Sequence, residues 1–427
     1  MEKRCSMNEI PAKDSIFINS WKLTLLVLIL AAVVRLWGVF ELNEKLDDEV
    51  ILVPDAIRIG TYGTTENWGN HPQLSGLIMY GTIRLFGDNP VGWRSSHIFL
   101  GTASVALIFL IGRLLYPGSA VPLISASLLA LDPHHIYLSR TTFMEIPVTF
   151  FFLLYLYLLL EYTENKRTTL PLAGIAMGLT MGTKAYFVFA IPLVVIYALH
   201  RVRQRGELTR AVVMDFVFAL MMLPFAVYLL SYIQLFSRGF TFPDFVQLKM
   251  NWIWAQTNLS MDDFINRDFL KAGGTPAEWF VIPRFWGEQR LLNNAEGMFI
   301  LQCNNPPFRL LVLPSILAAL GYAWKSRSAR ELLVPLLFAS CYLLILLVQR
   351  PILSYSSIVL VPFAYLALAR AVTLTAMRTD REYMVYGWFL FATFIWGAYM
   401  FPLVSARLVP LSLFRPILSQ VRYMVNI

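Results

Sequence analysis

Long apolar runs alternate with short polar breaks along almost the whole chain, and the length of each run carries the first information. About 20 apolar residues in a helix match the hydrocarbon thickness of a bilayer. Runs of that kind predict eleven membrane spans, at 21–40, 94–115, 119–137, 143–161, 169–183, 185–200, 211–236, 307–324, 332–349, 352–374 and 383–404. The pair at 169–200 is short for two spans. The first run lacks an Ala-x-Ala-like exit and reads as helix 1, not a cleaved signal. Pro192, Pro224 and Pro362 fall inside spans, where neighbouring helices can satisfy the carbonyls they free. Two longer polar segments interrupt the series, at about 41–93 and 237–306. The first predicts a helix at about Glu49–Gly60 and a semi-apolar stretch, Leu74 to Phe86, in or near the interface. The second predicts a loop with short helices packed on the outer ends of the bundle.

With 57% hydrophobic and 15% charged residues among 427, the composition excludes a soluble enzyme. A net charge of +8 raises nucleic acid as a partner. The Lys and Arg are, however, dispersed in short clusters between apolar runs, and nothing resembles a nucleic-acid-binding motif, so no nucleic acid is expected. Cys5, Cys303 and Cys341 are too few and too scattered for a disulfide framework or a zinc site. The basic clusters fall in alternate loops: the N-terminal segment, then near Arg113, Lys166, Arg201, Lys325 and Arg370. The positive-inside rule places these in the cytoplasm, with the N-terminus, and the odd span count puts the C-terminus outside.

That asymmetry isolates three residues. Arg140, Lys184 and Arg350 are single basic residues in short outer loops, where the rule expects none. They fall on the same face as Leu46-Asp47-Asp48-Glu49-Val50, three carboxylates at the far end of the first span. Ionised groups at such positions are rarely idle. Each has a bland reading as well: acids favour the positive start of the next helix, and lone basic residues snorkel to the interface. Four outer loops each offering a charge suited to an anionic substrate favour a site.

The order of short motifs resembles the protein O-mannosyltransferases and their relatives of the GT-C fold, which use polyprenyl-phosphate sugars. Asp48-Glu49 is similar to the family's Asp-Glu pair, and His71-Pro72-Gln73-Leu74 to its His-Pro-Pro-Leu. Leu85-Phe86-Gly87-Asp88-Asn89-Pro90, then Gly92-Trp93-Arg94, resembles the family's approach to its second span. Leu131-Asp132-Pro133-His134 and Ser139-Arg140 match the loop between spans three and four. Glu145 stands where the family usually has Asp, and Gly182-Thr183-Lys184 resembles Ala-Thr-Lys-Trp with Ala185 in place of the Trp. Asn305-Pro306 resembles the motif before span eight, and Arg350 to Tyr355 a later one, with Ser356 where His is usual. The 237–306 loop has no room for the β-trefoil (MIR) insertion of the eukaryotic enzymes, which points to a prokaryotic relative in the cell (inner) membrane. The resemblance implies one GT-C transmembrane domain over 1–427, an all-α bundle of about eleven spans with an extracytoplasmic site.

Moving a sugar from a lipid phosphate to a hydroxyl needs one general base and fixed positive charge for the leaving phosphate. The resemblance implies Asp48 as base, with Glu49 orienting it or binding acceptor or sugar. It implies Glu145 as a second acid, holding sugar hydroxyls or orienting Arg140. Arg140, Lys184 and Arg350 are the expected phosphate ligands; the resemblance puts Arg140 foremost by its family position, and its planar fork suits phosphate oxygens. His71 and Asp132 are expected to contact acceptor or sugar, His71 alternatively the phosphate, although Asp132-Pro133 alone reads as a turn or helix cap. His134-His135 reads as polar loop filling ahead of metal ligation. No cofactor is required; a divalent cation on Asp47–Glu49 is an alternative that a monophosphate donor makes less needed. The expected partners are a polyprenyl-phosphate sugar, probed first as mannose, membrane lipids, and an acceptor protein, lipid or glycan. Rival readings are an aminoarabinose-transferase-like enzyme and, from another class, a secondary transporter or lipid flippase. Transporter sites lie at the midplane, whereas these charges gather at span ends.

Overall fold

The computed structural model describes residues 21–63, 71–164, 166–258, 274–291, 295–347 and 352–426. Among them, eight helices are long and apolar enough to cross a membrane. Five of these are α1 (Trp21–Leu36, continued by a short turn to Glu41), α4 (Pro90–Leu115), α7 (Glu145–Thr163), α10 (Arg210–Leu230) and α12 (Pro306–Ser326). The others are α13 (Ala329–Leu347), α14 (Ser354–Ala376) and α15 (Glu382–Val404). Shorter helices are α2 (Glu49–Tyr62), α3 (Leu74–Phe86), α5 (Val121–Ala130), α6 (Pro133–Arg140), α8 (Thr169–Thr183) and α9 (Ala190–Gln204). Every predicted span therefore meets a helix, and the all-α membrane bundle is the observed fold class. The 119–137 run is the exception to continuity. Asp132 caps and Pro133 opens a new helix there, so the run divides into α5 and α6.

The local signals are those expected of helices. The Asn89 side chain accepts from Val91 N (2.9 Å) and Gly92 N (3.2 Å), and Pro90 occupies the first turn, so α4 starts sharply. α7 and α14 are the most enclosed spans, while α1, α10 and α15 form the rim. α8 packs unusually close to α10. A Cβ on Gly174 would lie 1.8 Å from the Ala219 carbonyl, at a π-helical turn over Phe218–Met222. Only glycine permits that approach.

The 237–306 segment departs from expectation. It holds one long helix, α11 (Phe242–Asn258), and a hairpin, β1 (Phe285–Leu291) and β2 (Glu296–Cys303). The hairpin joins two C-terminal strands, β3 (Leu408–Pro410) and β4 (Val421–Asn426), in a four-stranded sheet ordered β3-β2-β1-β4. β1 pairs antiparallel with β2 and parallel with β4. Phe285, Phe299 and Leu301 pack against Leu403 at the end of α15 and Phe414 of α16 (Leu411–Leu418). The sequence hides these strands because β2 is buried at nearly every position and shows no two-residue alternation. Beyond the hairpin itself, their other partners lie more than 100 residues away.

Candidate functional site

α1 ends, α4 and α7 begin and α8 ends at one pole of the bundle, and the connecting segments there carry the acidic loop. Both neighbours of Asp48 are tied down. Asp47 adopts a left-handed conformation (φ 49°) and accepts hydrogen bonds from Tyr137 OH (2.8 Å) and Gln302 Nε2 (2.5 Å). Glu49 is wholly buried, with Arg94 donating through Nε to Oε1 (2.9 Å) and through Nη2 to Oε2 (2.7 Å). The same guanidinium donates to the carbonyls of Val39, Leu42 and Glu44 at 2.8, 2.9 and 2.7 Å. One arginine thus shapes the loop from Val39 to Glu49. Glu49 was expected to orient Asp48 or to bind acceptor or sugar; its oxygens are taken by Arg94 and the Leu46 N–H (3.0 Å), so it fixes the loop beside Asp48 and its oxygens are already engaged.

Asp48, held between these anchors, lines a cleft of ≈ 210 Å³ between α2 and α3, together with Asp55, His71, Ser75 and Met144. No side chain among the described residues hydrogen-bonds its carboxyl group. Burial pushes its pKa up to about 8, Asp47 and Glu145 add to the rise, and Lys184 opposes it. Burial also raises Asp47, but its two donors favour the ionised form there.

Glu145 opens α7 and accepts from Lys184 Nζ (2.5 Å) and Tyr186 OH (3.0 Å). Tyr186 in turn shares a 2.5 Å hydrogen bond with Ser356. Lys184 follows the last residue of α8 and lies over the rings of Tyr186 (4.9 Å) and Tyr355 (5.7 Å). Glu145 was expected to hold sugar hydroxyls or to orient Arg140; the structure pairs it with Lys184, not Arg140. Asp48, His71, Glu145 and Lys184 are the predicted residues that the fold gathers.

Two predicted residues serve the scaffold. Arg140 was the leading phosphate ligand, but it is 4% exposed and its donors are engaged by backbone. It donates to the carbonyls of Val34 (3.1 Å), Arg35 (3.3 Å), Trp37 (2.8 Å) and Ser405 (3.3 Å). Helix ends leave such carbonyls unpaired, and here Arg140 satisfies the end of α1. Asp132 was expected to touch acceptor or sugar. It is buried, caps α6 by accepting from His135 N (2.6 Å), and accepts from Asn305 Nδ2 (2.8 Å) and Tyr365 OH. Arg350 lies outside the described residues.

Sequence reasoning passed over several residues. Arg35, inside the first apolar run, donates to Ala31 O (2.9 Å), Ala130 O (3.1 Å), Leu129 O (3.2 Å) and His135 Nδ1 (2.8 Å). It serves the carbonyls that α5 leaves open at the Asp132-Pro133 break. Arg309 holds His134 Nδ1 at 2.9 Å, so both histidines accept from guanidinium groups. An ionisable residue within a span was the available signal for Arg35. For Tyr137, Gln302 and Tyr186 the sequence offered none.

Residues 68–237 match the family described as dolichyl-phosphate-mannose-protein mannosyltransferase. A polyprenol-phosphate-mannose–protein mannosyltransferase of Mycobacterium tuberculosis is 26% identical over 262 residues, 52% of this chain. The chain aligns with only 50% of the length of that relative. The Saccharomyces cerevisiae protein O-mannosyltransferase Pmt1-Pmt2 complex, bound to the sugar donor, superposes with a TM-score of 0.73 at 15% identity and 90% coverage of both chains. ArnT from Cupriavidus metallidurans, bound to undecaprenyl phosphate, gives 0.59 at 13% identity, covering 95% of this chain and 74% of that one. The fold is thus shared with GT-C membrane glycosyltransferases, and the resemblance to the protein O-mannosyltransferases read from the motifs is borne out.

Proposed function

We propose that the chain is a membrane glycosyltransferase that moves a sugar, mannose, from a polyprenyl phosphate to an acceptor hydroxyl on the extracytoplasmic face, with inversion. The observation that carries this reading is Asp48: a carboxyl free of hydrogen bonds among the described residues, facing a cleft, with its neighbours fixed and a pKa near the working pH. A general base acts best when its pKa lies near that pH. In the ionised form Asp48 takes the acceptor O–H proton. The acceptor oxygen attacks the anomeric carbon opposite the phosphate, the C–O bond to phosphate breaks, and polyprenyl phosphate leaves. Lys184 supplies positive charge to that leaving group, exchanging Glu145 for phosphate oxygens, and His71 contacts acceptor or phosphate from the facing wall of the cleft.

Sidedness in this reading follows the basic clusters, with the N-terminus cytoplasmic, the site outside and the cell membrane as location. The proposal needs no metal. The carboxylates flanking Asp48 are already bound by Tyr137, Gln302 and Arg94, which leaves a poor cation set. A transporter would place its charges at midplane, and the gathering of Asp48, Glu145 and Lys184 at span ends favours a transferase. The test is transfer from radiolabelled polyprenyl-phosphate mannose in membranes, wild type against Asp48→Asn, with protein, lipid and glycan fractions counted separately. Label should move only in wild type. Equal transfer by both would take the base from Asp48, and no transfer by wild type from any polyprenyl-phosphate hexose would reject the donor.

A further inference from the structure

α11 follows α10 after a short helical turn at Ile233–Ser237 and has three faces instead of two. At 3.6 residues per turn, Phe245, Leu248 and Trp252 fall on one side and are buried or half-buried. Asp244, Gln247 and Asn251 fall on a second, exposed and polar, where Gln247 Nε2 donates to Asn251 Oδ1 at 2.9 Å. Phe242, Val246 and Met250 form the third, and they are apolar yet 53%, 43% and 56% exposed. A helix standing in water has no use for that third face. A helix lying where protein, lipid and water meet needs all three.

Two further observations identify what covers it. The membrane-length α10 leaves an apolar side uncovered through Phe218, Met221 and Phe225, and the chain between it and α11 adds exposed Ile233 and Phe240, so this face comes directly after a helix whose apolar side suits lipid. The buried side is anchored to Tyr232, and the segment just before α11 is tied to α2. Lys249 Nζ donates to Tyr232 OH and sits 4.2 Å over that ring, Phe245 lies 5.0 Å from it, and Arg238 Nη2 donates to Thr61 O (2.6 Å) near the end of α2. α2 carries Asp48 ahead of its first turn.

We propose that α11 is an interfacial helix that docks on the lipid surface through Phe242, Val246 and Met250, setting the height at which the α2 cleft meets the bilayer. This does not depend on the reaction catalysed. The test is spin labelling of full-length protein in phosphatidylethanolamine–phosphatidylglycerol nanodiscs, in a Cys5→Ser background; Cys303 and Cys341 are buried. Labels go at Val246→Cys and Met250→Cys, with Gln247→Cys and Asn251→Cys as the polar pair. The first pair should be several-fold more accessible to oxygen than to a nickel chelate, and the second pair the reverse. Equal nickel access at both pairs would overturn the proposal by placing the face in water. Immobilised labels at 246 and 250 that neither reagent reaches would overturn it equally, by covering the face with protein.

Discussion

Replacing Asp48 by Asn should inactivate the protein and stabilise it at once, and the two effects have one cause. Folding lifts this carboxyl from its ordinary value of 3.8 to about 8. Between those values the folded state holds a proton that the unfolded chain releases, so wild-type stability falls as pH rises through the window. At pH 7 the gap from the unfolded value is about three pH units. At roughly 1.4 kcal/mol per unit the ceiling is about 4 kcal/mol, and the half-buried position screens the realised figure below it. Asn keeps the shape and removes the titration. The assay is thermal melting of both proteins in one detergent from pH 5 to 9. Asp48→Asn should melt higher, by a margin that widens from pH 5 to 8 and then levels. Transfer by wild type should rise over the same range with an apparent pKa near 8, while Asp48→Asn loses about 10²–10⁴ in rate. A margin that does not change with pH would refute the raised pKa. A mutant as active as wild type would refute the base.

Lys184→Gln should weaken donor binding by about 10–100-fold, the usual worth of a charge-assisted hydrogen bond, read as a rise in donor KM. It should also move the ascending limb of the rate profile to higher pH, because Asp48 loses the cation that opposes its rise; a move to lower pH would contradict the electrostatics. Arg140→Ala should lower the melting temperature sharply, each abandoned carbonyl costing about 1–3 kcal/mol, with donor KM unchanged in the protein that folds. A raised KM at unchanged melting would return Arg140 to the phosphate. Arg94→Ala leaves Glu49 buried without its partner and should cost about 3–5 kcal/mol, seen as lost monodisperse protein after mild heating. Arg94→Met with Glu49→Leu should recover part of it, and a single variant as stable as wild type would show the pair to be dispensable.

Much of this was legible because a bilayer enforces a length. Apolar runs of span length located every membrane-length helix, and the acidic start at Glu49 located α2 within a few residues. The acidic loop was legible too, since three carboxylates at a span end demand an explanation. What stayed hidden depends on distant partners. β1 and β2 pair with strands near the C-terminus, and Asp47 meets Gln302 across 255 residues of sequence. No local pattern encodes such contacts, and Tyr186, which ties Glu145 to Ser356, belongs to the same class.

The arginines show where charge reasoning in a membrane protein needs a second question. A lone basic residue against the positive-inside pattern was read as a sign of an anionic substrate, and for Lys184 that reading keeps its place beside the cleft. For Arg140 the answer lay in the backbone. Helices that stop within a bundle leave carbonyls that water cannot reach, and a guanidinium with several fixed donors satisfies them where an ammonium on a flexible stem fits poorly. Arg35 does this for the end of α5, Arg140 for the end of α1 and Arg94 for the loop after it. In this chain the buried arginines hold the frame, and Lys184 pairs with a carboxylate beside Asp48. The sequence signal that separates the two cases is the helix break nearby: Asp132-Pro133 predicts open carbonyls on α5, and hence a structural use for the arginine that reaches them.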